Sequence, residues 1–168
     1  KLMGSVLLDI EKLNVVIDTA SGPLKAVQDV SLRVEKGETF CIVGESGCGK
    51  SITALSLMGL MPKRARREAE RMVFDGIDMT SLGERGMRRL RGNRISMIFQ
   101  EPMTSLNPVF TIGQQLVDVL KAHRAVSSAE ARERAVFLLN KVGIANARER
   151  LGQYPHELSG GLRQRVMI

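Results

Sequence analysis

The chain has 168 residues, of which 43% are hydrophobic and 26% are charged, and its formal net charge at pH 7 is +7. This length suffices for one domain with a sizeable core and is too short for two independent domains. No apolar run approaches the roughly 20 residues that span a bilayer, and the first residues do not resemble a signal peptide. Two cysteines, Cys41 and Cys48, are too few for a disulfide framework. We therefore expect a soluble, cytoplasmic chain.

The first part of the chain predicts short strands joined by turns. Residues 6–17 predict a strand, and the small and polar residues 18–23 predict a turn. Two further short strands are predicted at residues 24–27 and 30–34, followed by a tight turn at residues 35–38. The N-terminal part is thus expected to be an antiparallel β region that leads into an α/β core.

A glycine-rich motif follows an apolar run, residues 39–43, which is typical of a buried strand. The motif reads G-x-x-x-x-G-K-S and consists of Gly44, Glu45, Ser46, Gly47, Cys48, Gly49, Lys50 and Ser51. Glycines let backbone N–H groups turn inward around a polyphosphate, and a following helix adds its positive dipole end. Lys50 is expected to reach the β- and γ-phosphates, and the Ser51 hydroxyl is expected to ligate Mg²⁺. Strand, loop and helix together predict the phosphate-binding loop of nucleotide triphosphatases.

The helix after the loop begins near Ile52 and is expected to stop at Gly59 and Pro62. Beyond it the positive charge falls in two clusters, namely Lys63, Arg64, Arg66, Arg67 and Arg71, then Arg85, Arg88, Arg89, Arg91 and Arg94. A basic balance is compatible with nucleic acid, a membrane surface or an anionic ligand. Because no aromatic residues are interleaved with the clusters, we expect a solvated face near a membrane and no direct nucleic-acid partner.

The remaining elements alternate between apolar runs and turn residues. A short strand at residues 72–74 is followed by a turn at Asp75 and Gly76, a short helix at residues 82–90 and a buried parallel strand at residues 95–99. Further helices are predicted at residues 111–123 and, with Ser127 and Glu130 as a capping box, up to Gly143. The second half of the chain is therefore expected to be helical.

A second anion site is predicted near the end of the chain. Ser159 offers a hydroxyl, and Gly160 and Gly161 offer bare backbone amides, at the start of a helix that begins near Gly161. The chain thus has two sites suited to phosphate and one lysine-bearing loop. This asymmetry indicates that the second site serves the nucleotide of another copy.

The order of these motifs resembles the ATP-binding subunit of ABC transporters. The motifs are the phosphate loop, the run Phe99, Gln100, Glu101 and Pro102, and the later run Leu158, Ser159, Gly160, Gly161, x, x, Gln164 and Arg165. The sequence of residues 103–108 and 154–161 resembles that of the oligopeptide, dipeptide and nickel importer branch. The resemblance implies an α/β fold with a P-loop NTPase core, an N-terminal antiparallel β subdomain and a helical subdomain. Within a single domain, 1–168, the core would cover about 1–100 and the helical subdomain about 101–165.

The resemblance also implies roles for particular residues. ATP would be bound by residues 44–52, with Lys50 and Gln100 acting in catalysis and with Ser51 and Gln100 near Mg²⁺. Ser159, Gly160, Gly161 and Gln164 would contact the ATP of a second subunit in a head-to-tail dimer. The loop at residues 100–108 would dock on transmembrane permease subunits, which places the protein peripherally on the cytoplasmic face of the inner (plasma) membrane. His156 is interpreted as part of a structural turn.

The sequence departs from the family pattern in three places. Leu162 stands where glutamine is commonest in the signature, and Ile17 stands where an aromatic ring usually stacks on adenine. The chain stops at Ile168, before the strand ending in Asp-Glu that supplies carboxylates for metal organisation and water activation. We therefore expect an N-terminal portion with an incomplete sheet. Three hypotheses follow: an ATP-hydrolysing importer subunit, a nucleotide-binding fragment without hydrolysis, or a soluble DNA-repair ATPase of the same superfamily.

Overall fold

A computed structural model describes residues 5–99 and 105–168 of the chain. The chain divides into two compact units, Lys1–Arg91 and Gly92–Ile168. Gln100 and residues 101–104 of the predicted docking loop lie outside the described residues, so the predicted subdomain boundary near residue 100 stays a prediction. None of the helices described is both long enough and apolar enough to cross a membrane.

The first unit is built on an antiparallel sheet around one long strand. Strand β1 (Val6–Thr19) pairs along its length with β2 (Gly22–Glu35). Its other edge pairs with β3 (Ala65–Glu68) and with β4 (Arg71–Phe74), and β4 pairs in turn with β5 (Ile77–Asp78). The expected antiparallel β region is therefore confirmed, except that the two short strands predicted at residues 24–27 and 30–34 are one continuous strand, β2.

Strand β3 lies inside the first basic cluster, where the sequence predicts only a solvated face. Residues 65–68 have little β propensity, yet Ala65 pairs with Ile17 and Glu68 pairs with Asn14. Propensity is overridden here because β1 has a free edge that the passing chain can fill. Most of the basic residues are exposed as expected, but Arg67 and Arg91 are half-buried, so that expectation is wrong for these two.

The two buried strands predicted at residues 39–43 and 95–99 are not formed. Both segments lie outside the assigned strands, and Val43 and Ile98 are 91% and 61% exposed. A parallel strand exists only when neighbouring strands pair with it and its faces are covered. Apolar composition predicts a tendency to be buried and cannot supply the neighbours. The sheet is incomplete, as expected, although that expectation rested on a missing strand beyond Ile168 and not on these two segments. It is antiparallel throughout the part that the structure describes.

Two helices complete the first unit. Helix α1 (Lys50–Met58) begins at Lys50, within the glycine-rich motif, and is capped by Gly59, which confirms the predicted stop. Helix α2 (Glu84–Leu90) lies within the predicted segment 82–90. The apolar core of the unit consists of Ile10, Leu13, Val15, Val27, Met58, Met72, Phe74, Met79, Met87 and Leu90.

The second unit is helical, as predicted. It contains α3 (Ile112–His123), α4 (Ser128–Lys141), α5 (Ala147–Arg150), a 3₁₀ helix (Pro155–Glu157) and α6 (Gly160–Met167). Its core comprises Ile112, Ala135, Leu139, Ile144, Ala147, Leu151, Leu158 and Val166. Together with the sheet of the first unit, these helices confirm the α/β class.

The predicted capping box at the start of α4 is formed. The Ser127 hydroxyl accepts from the Glu130 N–H, and the Glu130 carboxylate accepts from the Ser127 N–H at 2.8 Å. Ser127→Ala is expected to destabilise the chain by about 1 kcal/mol, because it leaves an orphan N–H at the helix start. Urea denaturation measures the loss, with Asn140→Ala as the control at an exposed position of the same helix; equal losses would contradict the assignment of the cap.

The cap also predicts a pH dependence. Hydrogen bonds from Ser127 hold the pKa of the Glu130 carboxyl below its ordinary value. A lowered folded-state pKa adds stability above the unfolded pKa, and this stability is lost as the pH falls through the folded value. The difference between wild type and Ser127→Ala should therefore shrink in acid.

Candidate functional site

The glycine-rich motif forms an irregular loop that turns directly into α1. Gly47 has a φ of +84° and Gly49, the residue before the helix, has a φ of +95°. The left-handed conformation at these two positions lets the chain turn sharply before α1 begins, which glycine allows at little cost. The first N–H groups of a helix lack partners within the helix, and together with the dipole they favour an anion. The loop is therefore suited to bind phosphate.

The Lys50 ammonium lies over this loop. Its Nζ donates to the carbonyl oxygen of Gly44 at 2.6 Å and to that of Glu45 at 2.5 Å, and it lies 3.5 Å from the Cys48 sulfur. The residue is half-buried at the first position of α1. A single positive charge is thus held beside the same backbone that offers N–H donors, and both features attract an anion.

Gly49 shows how closely the loop is fitted to the sheet. A Cβ at this position would lie 2.6 Å from the carbonyl oxygen of Ala26 in β2. Only glycine permits this approach, so β2 sets the position at which the loop enters the helix. A polyphosphate suits these residues, because glycines, free helical N–H groups and a lysine ammonium form the donor set that binds phosphate oxygens.

The other predicted loop residues flank this centre. Ser51 is exposed on the first turn of α1, and Ile52 beside it is half-buried. The Cys48 thiol is exposed, and its N–H donates to the Glu45 carbonyl oxygen at 3.4 Å. Of the two predicted Mg²⁺ ligands, Gln100 is not described. No set of three His, Cys, Asp or Glu side chains suited to a metal ion occurs in residues 5–99 or 105–168.

The buried face of α1 is a feature that the sequence reading missed. Thr53 and Ser56 are 5% and 0% exposed, whereas the apolar residues of the helix, apart from Met58, are only half-buried. The Thr53 hydroxyl donates to the Gly49 carbonyl oxygen at 2.9 Å, and the Ser56 hydroxyl donates to the Thr53 carbonyl oxygen at 2.7 Å. Their spacing of three residues was the available indication that both lie on one helix face.

The predicted second anion site lies at the start of α6. Ser159 is the N-cap, with its hydroxyl 3.4 Å from the Leu162 N–H, and the helix begins at Gly160, one residue earlier than predicted. Gly160 and Gly161 are exposed, and a Cβ at either would meet no atom within 4 Å. The open surface leaves room for another molecule to approach these amides. Gln164 is also exposed, on the same helix.

The residues before α6 form a tight turn. The Tyr154 N–H donates to the Glu157 carboxylate at 2.6 Å, and the rings of Tyr154 and His156 stack with centroids 5.6 Å apart. Arg163 of α6 donates from Nε to the Leu158 carbonyl oxygen at 2.9 Å, next to the Ser159 cap. His156 therefore lies in a turn that precedes the candidate site.

The two side chains that depart from the family pattern have structural surroundings of their own. Leu162 packs against the core of the helical unit, which accounts for an apolar residue at this position. Ile17 is half-buried in β1, where it pairs with Leu24 of β2 on one edge and with Ala65 of β3 on the other.

A glycine-rich loop with a lysine at the start of a helix, beside a β-sheet, is the arrangement typical of nucleotide-binding proteins. The chain belongs to the ABC transporter family, because the model of that family matches residues 27–168.

Named relatives refine this membership. The chain is 51% identical over 168 aligned positions to a protein of Brucella abortus (strain 2308) provisionally named a peptide import ATP-binding protein, covering 96% of this chain and 50% of the relative. It is 47% identical over 163 positions to the dipeptide transport ATP-binding protein DppD of Bacillus subtilis (strain 168), covering 96% and 49%. DppD of Escherichia coli (strain K12) is 46% identical over 162 positions, covering 96% and 50%. The chain therefore spans about half the length of the curated relatives it matches.

Solved structures agree with the fold. The dimeric ATP-binding cassette MJ0796, in a post-hydrolysis state bound to ADP and Pi, matches with a TM-score of 0.80 at 25% identity. The match covers 96% of this chain and 67% of that one. A second dimeric structure of the same cassette matches equally well.

Proposed function

We propose that this chain belongs to the ATP-binding subunit of an importer for peptides or related small solutes. The observation that carries the proposal is the Lys50 ammonium held over a glycine-rich loop at the start of α1. The names of the relatives support peptides as the solute class, and they favour an importer over the DNA-repair alternative. In this function, binding and hydrolysis of ATP drive import through membrane subunits.

ATP is held by its phosphates at residues 44–52. Backbone N–H groups of the loop donate to phosphate oxygens, and Lys50 exchanges its carbonyl partners for the β- and γ-phosphates. Ser51 and Gln100 are the residues that would hold Mg²⁺, which neutralises charge that develops on the transferred phosphoryl group. Gln100 is further proposed to approach the attacking water.

The subunit acts as a head-to-tail dimer. Ser159, Gly160, Gly161 and Gln164 of one copy would contact the γ-phosphate held by the other, and their exposure at the start of α6 leaves them accessible. The dimeric state of the matched cassette supports this arrangement. Residues 100–108 would carry the closure of the dimer to permease subunits, with the protein peripheral at the cytoplasmic face of the membrane.

A binding measurement tests the nucleotide assignment. The full-length protein is expected to bind a fluorescent ATP analogue saturably. ATP and ADP should displace the analogue, and AMP should displace it much more weakly. The reason is that the loop and Lys50 recognise the β- and γ-phosphates and not the nucleoside. Absence of saturable binding would refute the proposal.

A turnover measurement separates the importer ATPase from the alternative of nucleotide binding without hydrolysis. Release of phosphate from ATP and Mg²⁺ by the full-length protein is the expected result. Saturable binding with no turnover would favour the binding-only alternative.

A further inference from the structure

The C-terminal end of α1 is held by two arginines from outside the helix. Arg67 in β3 donates from Nη1 to the Ser56 carbonyl oxygen at 2.5 Å and from Nη2 to the Met79 carbonyl oxygen at 3.0 Å. Arg91, directly after α2, donates from Nε to the Met58 carbonyl oxygen at 2.6 Å and from Nη2 to the Gly59 carbonyl oxygen at 3.0 Å. Three carbonyls at this helix end thereby gain charged donors.

These contacts supply what α1 lacks in its own sequence. The last turn of the helix contains no basic residue, although the negative end of a helix dipole favours a positive charge. The last carbonyls of a helix also need partners beyond the regular helix bonds. The Gly59 N–H donates to the Leu55 and Ser56 carbonyl oxygens, and Arg91 supplies donors to the Met58 and Gly59 carbonyl oxygens.

Arg67 accepts partial burial to make its own hydrogen bonds, and burial lowers the pKa of its guanidinium. Arg66 beside it is exposed, and its Nη2 donates to the exposed Asp18 carboxylate at 3.2 Å and not to α1.

The Arg91 side chain is largely buried between Glu84 and the end of α1. Its side chain is 18% exposed, and its Nη1 and Nη2 donate to the two carboxylate oxygens of Glu84 at 2.7 and 3.2 Å. Gly59, with a φ of +62°, forms the facing wall, where a Cβ would lie 2.9 Å from Nη2 of Arg91. The guanidinium is thus fixed by a carboxylate on one side and by the end of α1 on the other.

Hydrogen bonds connect this helix end to the phosphate loop. The buried Thr53 hydroxyl donates to the Gly49 carbonyl oxygen, the buried Ser56 hydroxyl donates to the Thr53 carbonyl oxygen, and Arg67 donates to the Ser56 carbonyl oxygen. The series runs along the inner face of α1 from the loop to β3. Since α1 has nine residues and is roughly 13 Å long, holding its far end sets the direction of its axis.

We propose that Arg67 and Arg91 are positioning residues for nucleotide binding: both hold the C-terminal end of α1 and so set the direction of the helix that carries Lys50. Arg67 is in addition joined to Gly49 through the hydrogen bonds of Ser56 and Thr53. Neither arginine touches the loop itself. The proposal rests on the proposed function, because it concerns how the phosphate loop is aimed at ATP.

The test compares arginine variants with matched controls in the full-length protein. Arg67→Met and Arg91→Met remove the guanidinium and keep an unbranched apolar side chain. The controls are Arg66→Met, on the same strand and exposed, and Arg88→Met, exposed on α2. For each variant, KM for ATP, kcat and the Kd of the fluorescent ATP analogue are measured.

The expected result is a rise of about five- to thirtyfold in KM and Kd for Arg67→Met and Arg91→Met, with kcat changed less than about twofold. Bound ATP contacts the loop directly, so at saturating ATP the loop regains its position and kcat returns close to the wild-type value. Irreversible unfolding has a different signature, since it lowers the active fraction and hence the apparent kcat and leaves KM unchanged. Reversible unfolding would raise KM and Kd as the loss of positioning does, so urea denaturation has to show that each variant is folded at the assay temperature before its KM is interpreted. The controls should match wild type.

A second pair of variants keeps the test decisive if an arginine variant does not fold. Thr53→Ser retains the hydroxyl that bonds Gly49, and Thr53→Val replaces it with a methyl group of similar size. KM for ATP is expected to rise in Thr53→Val and to stay near wild type in Thr53→Ser. Wild-type KM in Thr53→Val and in every folded arginine variant would overturn the proposal.

The outcomes also separate this proposal from the proposed function. Failure of the wild-type protein to bind the ATP analogue would remove the nucleotide assignment itself. Normal binding by wild type, loss in Lys50→Ala and unchanged binding in the arginine and Thr53 variants would remove only the positioning role.

Discussion

Lys50→Ala is expected to weaken ATP binding by about ten- to a hundredfold and to lower turnover by at least about a hundredfold. The Lys50 ammonium provides charge-assisted hydrogen bonds at the loop, which are worth about 1.5–3 kcal/mol each. Hydrolysis loses more than binding does, because negative charge on the phosphates is redistributed in the transition state and a fixed cation stabilises it there. Titration with the fluorescent ATP analogue and a phosphate-release assay measure the two effects.

Lys36→Ala is the matched control for this change. Lys36 lies in the turn after β2, also in the first unit, and pairs with Asp75 at 2.6 Å. The Lys36→Ala substitution removes one positive charge, as Lys50→Ala does, and leaves the loop unchanged. If the two variants bind ATP equally well, the phosphate site has been placed wrongly, whereas a loss confined to Lys50→Ala supports it.

Gly49→Ala is expected to be the most disruptive single change in the loop. The added Cβ would lie 2.6 Å from the Ala26 carbonyl oxygen, and the residue would keep a φ of +95° that L residues rarely adopt. Strain and overpacking against backbone together are expected to cost about 3 kcal/mol or more. Urea denaturation gives the loss of stability, and ATP titration gives the loss of affinity.

Gly47→Ala separates the two causes. Gly47 has a similar φ of +84°, but a Cβ there would meet no atom within 4 Å. Gly47→Ala should therefore carry only the backbone strain of about 1–2 kcal/mol. Losses of equal size in the two variants would mean that the close approach of Gly49 to β2 has no energetic weight.

Several features could be predicted from the sequence because their causes are local. Gly59 stops α1, and Ser127 with Glu130 caps α4, within a few residues of the side chains responsible. The phosphate loop could also be predicted for a local reason, since its hydrogen-bond donors and its turn all lie within eight consecutive residues. The family resemblance adds an expected relation between the loop and Ser159, which stays a prediction, and the match of the family model confirms the family itself.

Other features could not be predicted because they depend on residues far along the chain. Residues 39–43 have the composition of a buried strand, yet without strand neighbours they are exposed. Conversely, the polar segment Ala65–Glu68 forms a strand because β1 offers it an edge.

The phosphate loop is the clearest case of this division. The residues of the loop are enough to predict phosphate binding, because glycines, a lysine and a serine at this fixed spacing are typical of it. The contacts around the loop became visible only in the folded chain, with Gly49 against Ala26 at one end of α1 and with Arg67 and Arg91 at the other. Hydrogen bonds between distant residues form only after the chain has folded, so neither arginine could be distinguished in sequence from the exposed arginines around it.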